Sequence, residues 1–390
     1  MSELLNGRWA ETKEALLEGL SGTKKSVMGV TLENTRKYLV ESPTAGATSA
    51  GNVATLNRVI LPVIRRVMPT VIANELVGVQ PMTGPVGQIH TLRVRYSDTS
   101  SGAGVVAGEE ALSPFKIAEA YSGNEASPAK AASTATLEGA AGKRMSIQIL
   151  KQTVEAKTRK LSARWTFEAA QDAQAQQGID IEAEVMAALA QEITAEIDQE
   201  ILQSLDSLAG TASETYNQAA VSGTATFVGD EHAALAVQIN RVSNLIAQRT
   251  RRGAGNWAVV SPFALTILQS ATTSAFARTT EGTFEAPTNT KFVGTLNSAM
   301  KVYVNTYAAD NSAVLIGYKG SSESDAAAFY CPYIPLMSSG VVLDPSTFEP
   351  VVSFMTRYGY VELSNTASSL GNAADYLGKV AITHGNVKFS

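Results

Sequence analysis

Residues Gly317 to Leu336 read GYKGSSESDAAAFYCPYIPL. A polar Gly/Ser loop runs here into a dense segment of aromatic residues, cysteine and proline, in a chain in which only 7% of residues are aromatic. Tyr and Phe supply large apolar area with few rotatable bonds, and the two prolines stiffen the backbone. The block contains no His and no nucleophile beside a base. It therefore predicts a rigid contact surface and favours assembly over catalysis.

Composition places the chain among ordinary folded proteins. Its 390 residues, 45% apolar and 17% charged, are enough for two or three domains. The net charge of -5 argues against a protein that binds nucleic acid through a basic face. One cysteine, Cys331, excludes an internal disulfide and a CxxC metal site. Residues 1–20 are rich in charge and no long apolar run occurs, so we expect neither an export signal nor stable membrane insertion.

Two alternating segments enclose a weakly hydrophobic insert. Gln88 to Tyr96 alternates apolar and polar residues and predicts a strand, and a second alternating run begins at Val154. The 97–145 segment between them is dominated by Ala, Gly, Ser and Thr. We therefore expect a long projecting hairpin there, without a separately folded insertion domain.

The strongest helical pattern lies in residues 181–205. Apolar residues recur at every fourth position, while Glu192, Glu196 and Glu200 form a parallel acidic row. This predicts a rod of about 25 residues that is nearly 40 Å long at ~1.5 Å per residue.

Helices and strands alternate through the rest of the chain. An amphipathic helix is expected to end near Arg249, followed by a strand from Trp257 to Val260 and a helix capped by Ser261. Further strands are predicted at 301–307, 312–318 and 351–356. Together these elements predict a mixed α+β fold.

Charge is segregated along the sequence. Lys143 to Arg164 holds seven basic residues against one acid, whereas Trp165 to Asn240 holds thirteen acids and no Lys or Arg. Two interpretations stay open: both segments are solvated faces, or a basic limb crosses the acidic helix of a neighbouring copy. The second predicts contacts between subunits, made by Lys157, Arg159, Lys160, Glu192, Glu196 and Glu200.

Catalytic constellations are missing from the sequence. His90, His232 and His384 are scattered and lie outside any metal-ligand spacing. The acidic row lacks the His that di-metal helices place three residues after a Glu. Gly139 to Lys143 lacks the spacing of a phosphate loop. We therefore predict no catalytic residue, no cofactor and no metal site, and no enzyme activity.

Several blocks of sequence resemble the major capsid proteins of T-even-like tailed bacteriophages, in order, from Glu33 to Leu363. Besides the opening block they are Arg65–Asn74, Gly78–Gln88, Val154–Leu161, Gln171-Asp172, Thr250–Asn256 and Thr356–Gly359. The resemblance implies the HK97-type capsid fold. That fold has an N-terminal arm, a peripheral domain with a spine helix and an extended loop, and an axial domain.

The resemblance also implies a division of the chain. Residues 1–50 would form the arm, 51–231 the peripheral domain, 232–340 the axial domain and 341–390 a return to the peripheral domain. The extended loop would be 97–145 and the spine helix 181–205. The opening block then lies where the axial domain ends, so Tyr318, Phe329, Tyr330 and Tyr333 are expected to pack between domains.

The resemblance further implies trimming at the N-terminus, because members of this family are often cut by a prohead protease after a hydrophobic-x-Glu motif. Leu39-Val40-Glu41 fits that motif just before a small-residue stretch, and Glu18 ends a secondary match. The resemblance implies hexamers that tile an icosahedral shell around double-stranded DNA without sequence-specific binding. Further partners would be the vertex protein, portal, scaffold, prohead protease and decoration proteins, with assembly in the bacterial host cytoplasm and a final place in the virion.

Three alternatives stay open. The first is the related vertex protein, which has the same fold and forms pentamers. The second is a cellular nanocompartment shell, for which a cargo-docking surface and no cleavable leader would be expected. The third is an α+β hydrolase or metal enzyme, which would need a constellation of residues that the sequence lacks.

Overall fold

The structure is a computed structural model. It describes residues 9, 13–14, 17, 22–41, 72–102, 104–109, 111, 121–123, 131–139, 142–177, 180–217, 228–250, 252–271, 276–278, 291–297, 299–322, 325–363 and 373–383. Its helices are α1 (Gly22–Glu41), α2 (Ala73–Leu76), α3 (Thr134–Leu137), α4 (Phe167–Gln177), α5 (Ile181–Ala209), α6 (Val228–Thr250) and α7 (Pro262–Ser270), with a 3-10 helix at Ala373–Tyr376.

The strands begin with β1 (Gly78–Val79), β2 (Val86–Tyr96), β3 (Met145–Glu155), β4 (Lys157–Arg164) and β5 (Glu214–Tyr216). They continue with β6 (Trp257–Val260), β7 (Phe276–Arg278), β8 (Lys291–Leu296), β9 (Met300–Val304) and β10 (Val314–Gly317). The last are β11 (Ala328–Ser338), β12 (Val342–Leu343), β13 (Pro350–Glu362) and β14 (Leu377–Ile382). This mixture confirms the α+β class.

Contacts divide the chain into two compact units. Unit 1 comprises Met1–Gly87, Val154–Ser204 and Phe329–Val361. Unit 2 comprises Gln88–Thr153, Leu205–Ala328 and Glu362–Ser390.

Unit 1 contains a five-stranded sheet in which β11 lies between β1 and β13, and β13 also pairs with β12 and β4. The β13–β4 pairing is antiparallel, from Val351 opposite Arg164 to Tyr358 opposite Lys157. Strand β11 is not predicted from the sequence, because Pro332 and Pro335 argue against a central strand. Pro332 lacks an N–H, but its carbonyl oxygen still accepts a hydrogen bond from the Met82 N–H at 2.9 Å.

Helix α5 confirms the long helix predicted for residues 181–205. It extends four residues beyond the predicted end at Leu205. The apolar row is buried where it was expected, with Ile193, Ile197 and Ile201 each no more than 2% exposed. The acidic row lies on another face, because Glu192 and Glu196 are exposed and Glu200 is half-buried.

Helix α1 lies in the segment 1–50, expected to form the arm, and contributes buried side chains. Val27, Met28 and Leu32 are buried. The Asn34 amide Nδ2 donates to the carbonyl oxygens of Met82 at 2.6 Å and Tyr333 at 2.9 Å, both in unit 1. These apolar positions form only a short stripe on the helix. The charged residues around them make the stripe difficult to recognise in the sequence. Glu41 is the last residue of α1, and Glu18 lies outside the described residues.

Unit 2 is built on a seven-stranded sheet with the order β5-β14-β10-β6-β9-β8-β7. Helix α6 packs on this sheet through an apolar row that is fully buried, namely Leu235, Ile239, Val242 and Ile246. The predicted cap of α7 is present, since the Ser261 hydroxyl accepts from the Ala264 N–H at 3.2 Å. These elements lie close to their predicted positions because their local signals are strong.

Strands β2 and β3 pair in a two-stranded sheet of their own, so a hairpin is present. Its second limb differs from the prediction, because the alternating run that begins at Val154 lies mostly in β4, which pairs with β13 instead. The insert between them buries a small cluster, in which the rings of Tyr96 and Tyr121 lie 4.5 Å apart beside Val105 and Ala111. The Tyr121 hydroxyl donates to the Arg144 carbonyl oxygen at 2.6 Å and so fastens the two limbs.

The boundaries of the two units differ from the predicted domain boundaries. Residues 88–153 and 205–231, predicted with the rest of 51–231, belong to unit 2, and the C-terminal part of the chain also divides differently. Strand β14, expected in the returning segment 341–390, pairs antiparallel with β10 in the sheet of unit 2. Most of β11, placed within 232–340 by prediction, lies in the sheet of unit 1. Both assignments depend on long-range strand pairing, which single-sequence patterns do not report.

Candidate functional site

A charged cluster within unit 1 joins β4 and β13 to α5. The Arg159 guanidinium donates from Nη1 to Glu196 Oε2 at 2.6 Å and from Nη2 to Glu200 Oε2 at 2.5 Å. Its third donor, Nε, binds the Tyr358 hydroxyl oxygen at 2.6 Å, and that hydroxyl in turn donates to Glu200. We call these four residues the Arg159 cluster.

Local structure explains why these side chains meet. Alternate residues of β4 are half-buried, and Arg159 belongs to that row. Glu196 and Glu200 are four residues apart on α5 and therefore share one face of the helix. An arginine fork offers donors in fixed directions, so it suits several oxygen acceptors at once.

Electrostatics keep Arg159 and Glu200 ionised. Burial alone would lower the pKa of Arg159, but its bonds to Glu200 and Tyr358 raise it. Burial would raise the pKa of Glu200, but the hydrogen bonds from Arg159 and Tyr358 and the nearby positive charges together hold it below the usual range. Burial, and then the bond to Glu200, raises the pKa of Tyr358 and keeps its hydroxyl protonated.

The other predicted charge contacts lie at the surface. Lys157, Lys160 and Glu192 are exposed, and the Lys157 charge contributes to the lowered pKa of Glu200. Basic β4 and the acidic row therefore face each other within one chain through Arg159. The contact with a second copy through the exposed charges remains a prediction.

The aromatic part of the opening block packs inside unit 1. Phe329 and Tyr330 are buried in β11, and the rings of Tyr330 and Tyr358 lie 5.5 Å apart. The Arg357 guanidinium lies over the Tyr333 ring, 5.3 Å from its centroid. Burial raises the pKa of the Cys331 thiol to about 12, which leaves it protonated and unreactive.

The first part of the same block lies in unit 2, where it meets another signature block. Asn256 donates from Nδ2 to the Lys319 carbonyl oxygen, and the Lys319 N–H returns a bond to Asn256 Oδ1 at 3.0 Å. Tyr318 stacks against Tyr376 with ring centroids 6.3 Å apart. Gly317 passes so close to Trp257 that a Cβ atom would lie 2.1 Å from the indole. The segment around Asn256 and Trp257 and the segment 317–319 thus pack directly against each other. The packing of the opening block between domains remains a prediction.

Asp198 on α5 is a buried polar residue that the sequence analysis did not single out. Its side chain is fully buried, and Oδ1 accepts from the Ile72 N–H at 2.9 Å, at the start of α2. Among the described residues, no hydrogen bond reaches Oδ2. Burial raises the pKa of this carboxyl to about 7. The sequence does contain a signal for the burial of Asp198. This residue follows Ile197 of the apolar row and lies one helical turn from Thr194, so it belongs to the apolar side of the helix.

The described residues include few groups of the kind that act in metal binding or acid–base catalysis. Within it, no group of three or more His, Cys, Asp or Glu residues is arranged to hold a metal ion. His90 is exposed, and His384 lies outside the described residues. His232 is buried with Nδ1 against the Ser270 hydroxyl, and burial lowers its pKa. Every described helix is too short or too polar to cross a lipid bilayer.

Comparison with known proteins identifies the family. The family model for the major capsid protein Gp23 matches residues 53–382, which is most of the chain. This chain belongs to the major capsid protein Gp23 family. Its relatives include the major capsid protein of Vibrio phage KVP40, 30% identical with 85% of this chain and 81% of the relative covered. The major capsid protein of Enterobacteria phage T4 is also 30% identical, with 83% and 78% covered.

Solved structures from phages overlap much of the Gp23-family chain at low identity. A chain from the capsid of Myoviridae phage XM1 is 11% identical, with a TM-score of 0.43 over 87% of this chain and 99% of that one. A chain from Mycobacterium phage Bobi is 12% identical, with a TM-score of 0.46 over 89% and 98%. The family assignment confirms the resemblance to T-even-like capsid proteins, and the protein is a major capsid protein of a tailed phage.

Proposed function

We propose that this protein assembles into hexameric capsomers that tile an icosahedral head shell around double-stranded DNA. The observation that carries the proposal is the family match across residues 53–382. The relatives named above are major capsid proteins rather than vertex proteins, which favours the hexamer over the pentamer. Heterologous contacts between identical chains close into rings, so one chain is sufficient to build such capsomers.

We assign unit 1 to the peripheral domain and the sheet of unit 2 to the axial domain. Unit 1 holds most of the long helix α5, which the capsid fold uses as its spine. The β2–β3 hairpin corresponds to the extended loop. The chain crosses between units at Ala328 and Phe329, inside the opening block, which is why we retain Tyr318, Phe329, Tyr330 and Tyr333 as residues that pack between domains.

The net charge of -5 suits a container for DNA. A basic lining would bind packaged DNA strongly through its phosphates and resist its movement. The shell would therefore enclose DNA without sequence-specific contacts. Its other partners would be the vertex protein, portal, scaffold, prohead protease and decoration proteins, and it would assemble in the host cytoplasm with no catalytic role.

Negative-stain electron microscopy of the expressed protein tests the proposal. Shells, tubes, sheets or six-membered rings are expected, and five-membered rings alone would support the vertex alternative. A folded protein that stays monomeric at every concentration, as judged by sedimentation velocity, would refute the proposal.

A further inference from the structure

Phe348 combines two features that are unfavourable in an isolated subunit. Its φ angle is +57°, in the left-handed region that bulky side chains rarely adopt. Its side chain is 71% exposed, so most of the ring remains in water. A strained residue at the surface that gains little from burial points to a function outside the subunit's own folding.

The loop that carries Phe348 is held rigidly. Asp344 and Glu349 close the β12–β13 hairpin through a 2.9 Å bond from the Asp344 N–H to the Glu349 carbonyl oxygen. The Asp344 carboxylate accepts from the Ser346 N–H at 2.9 Å and from its hydroxyl at 2.7 Å. The Phe348 N–H donates to the Asp344 carbonyl oxygen at 2.8 Å. The ring is therefore presented in a fixed position, which lowers the entropic cost of binding.

Other exposed apolar side chains accompany Phe348 in unit 1. The Phe167 ring, at the start of α4, lies 5.9 Å from the Phe348 ring and is itself 43% exposed. Three residues before the loop are exposed as well, Val341 and the two β12 residues Val342 and Leu343, and their side chains alternate between the two faces of the hairpin. We call these five residues the hairpin patch. Exposed apolar clusters with a polar rim mark contact sites with other proteins.

We propose that the hairpin patch is a contact surface for a second copy of this chain in the assembled shell. The inference rests on the proposed function, because a shell protein buries its surface mainly against copies of itself. The rim carries both signs of charge. Arg164, 68% exposed on its side chain, lies 3.8 Å from Glu349 and acts electrostatically on Asp344, and the exposed Glu168 follows Phe167. A mixed rim suits an identical chain of mixed charge better than a strongly acidic partner such as DNA. Phe348 would be the anchor, as aromatic residues commonly are at the centre of interfaces.

The substitution Phe348→Gly separates this role from a role in folding. Glycine removes the ring and relieves the backbone strain, so the melting temperature of the unassembled subunit should equal or exceed that of wild type. Assembly should nevertheless require roughly tenfold or more higher protein concentration, measured by sedimentation and electron microscopy. Phe348→Tyr keeps the ring and is the matched control that should assemble like wild type.

The other possible results for Phe348→Gly also either support or overturn the proposed contact. Normal assembly of Phe348→Gly, at any melting temperature, overturns the proposal. If both melting temperature and assembly fall, Val342→Lys on the same hairpin decides: impaired assembly with a normal melting temperature supports the proposal, and normal assembly overturns it. Wild-type protein that folds but never assembles would instead refute the proposed function itself.

Discussion

Arg159 Nε donates a hydrogen bond of 2.6 Å to the Tyr358 hydroxyl oxygen, between the paired strands β4 and β13 of unit 1. The same guanidinium binds Glu196 and Glu200 on α5, so one side chain connects two strands to the spine helix. Single surface ion pairs contribute little to stability. A guanidinium with three oxygen partners forms a network, whose loss leaves charged and hydroxyl groups without their donor.

Arg159→Met should lower the free energy of unfolding by about 1–2 kcal/mol, because charged hydrogen bonds are lost from a partly exposed site. Urea unfolding of the unassembled subunit measures this. Lys160→Met, at the adjacent exposed position of β4, is the matched control and should change stability by less than about 0.5 kcal/mol. Equal losses in the two variants would contradict the structural role of the Arg159 cluster.

Charge segregation in the sequence predicted that basic β4 and the acidic row would be complementary. It did not decide whether they meet within one chain or between two, because the alignment of β4 with α5 depends on contacts far apart in sequence. Arg159 pairs with Glu196 and Glu200 of its own chain. Lys157, Lys160 and Glu192 are exposed, and the predicted contact between copies would use them. Local patterns thus identified the charged residues, but they did not show which of them pair within the chain and which are left for a neighbouring copy.

Elements defined by local sequence were predicted, whereas elements defined by contacts far apart in sequence were not. Helices α5 and α6 have long apolar periods, and Ser261 has a cap signal, so local sequence was sufficient. Strand β11 contains two prolines, and its central place is defined by β1 and β13. The polar contacts of Asn34 and Asp198 join segments 48 to 299 residues apart, which no local pattern reports.

Reversing Lys157 and Lys160 together to Glu should weaken assembly, because the basic edge would then repel the acidic row of a neighbouring copy. The effect should be largest at low salt and should fade as ionic strength screens the charges. Adding Glu192→Lys should partly restore assembly, as followed by light scattering. Assembly that is unchanged by the double reversal at all salt concentrations would refute the predicted contact.

Gly359→Ala should destabilise unit 1. A Cβ atom at Gly359 would lie 2.5 Å from Val154 Cγ2 and 3.1 Å from the Glu155 carbonyl oxygen. Overpacking of this kind typically costs about 1–3 kcal/mol, which urea unfolding would detect. Gly84→Ala is the matched control in the same unit, since among the described residues the atom nearest to its Cβ would be the Val86 carbonyl oxygen, at 3.9 Å. A Gly359 variant as stable as the Gly84 variant would count against the close packing of β13 on β3.

Asp198 should make the subunit less stable as pH rises through the acid range. Its pKa is about 7 in the folded state and near the ordinary value of 3.8 when unfolded. Between these values the folded state retains a proton that the unfolded state has lost, so stability falls with rising pH by about 1 kcal/mol per unit. Above about pH 7 this dependence ends.

Asp198→Asn removes that ionisation and keeps an oxygen that can accept from Ile72. Its stability relative to wild type should therefore rise from pH 4 to pH 7, measured by urea unfolding across the range. Asp172→Asn, at an exposed position of α4, is the control and should follow the wild-type profile. Parallel profiles for the Asp198 variant and wild type would show that Asp198 does not cause the dependence.

Trimming of the N-terminal segment is predicted to occur after Glu41, the last residue of α1. The residues from Ser42 to Gly51 are small and polar, a composition that suits the extended chain a protease must bind. Mass spectrometry of mature particles should find chains that begin at Ser42, and Glu41→Gln should block the cut while Glu18→Gln does not. Intact Met1 in mature particles would refute the prediction. Cleavage there would remove Asn34 and free the carbonyl oxygens of Met82 and Tyr333, so the trimmed subunit should be less stable in isolation than the full chain.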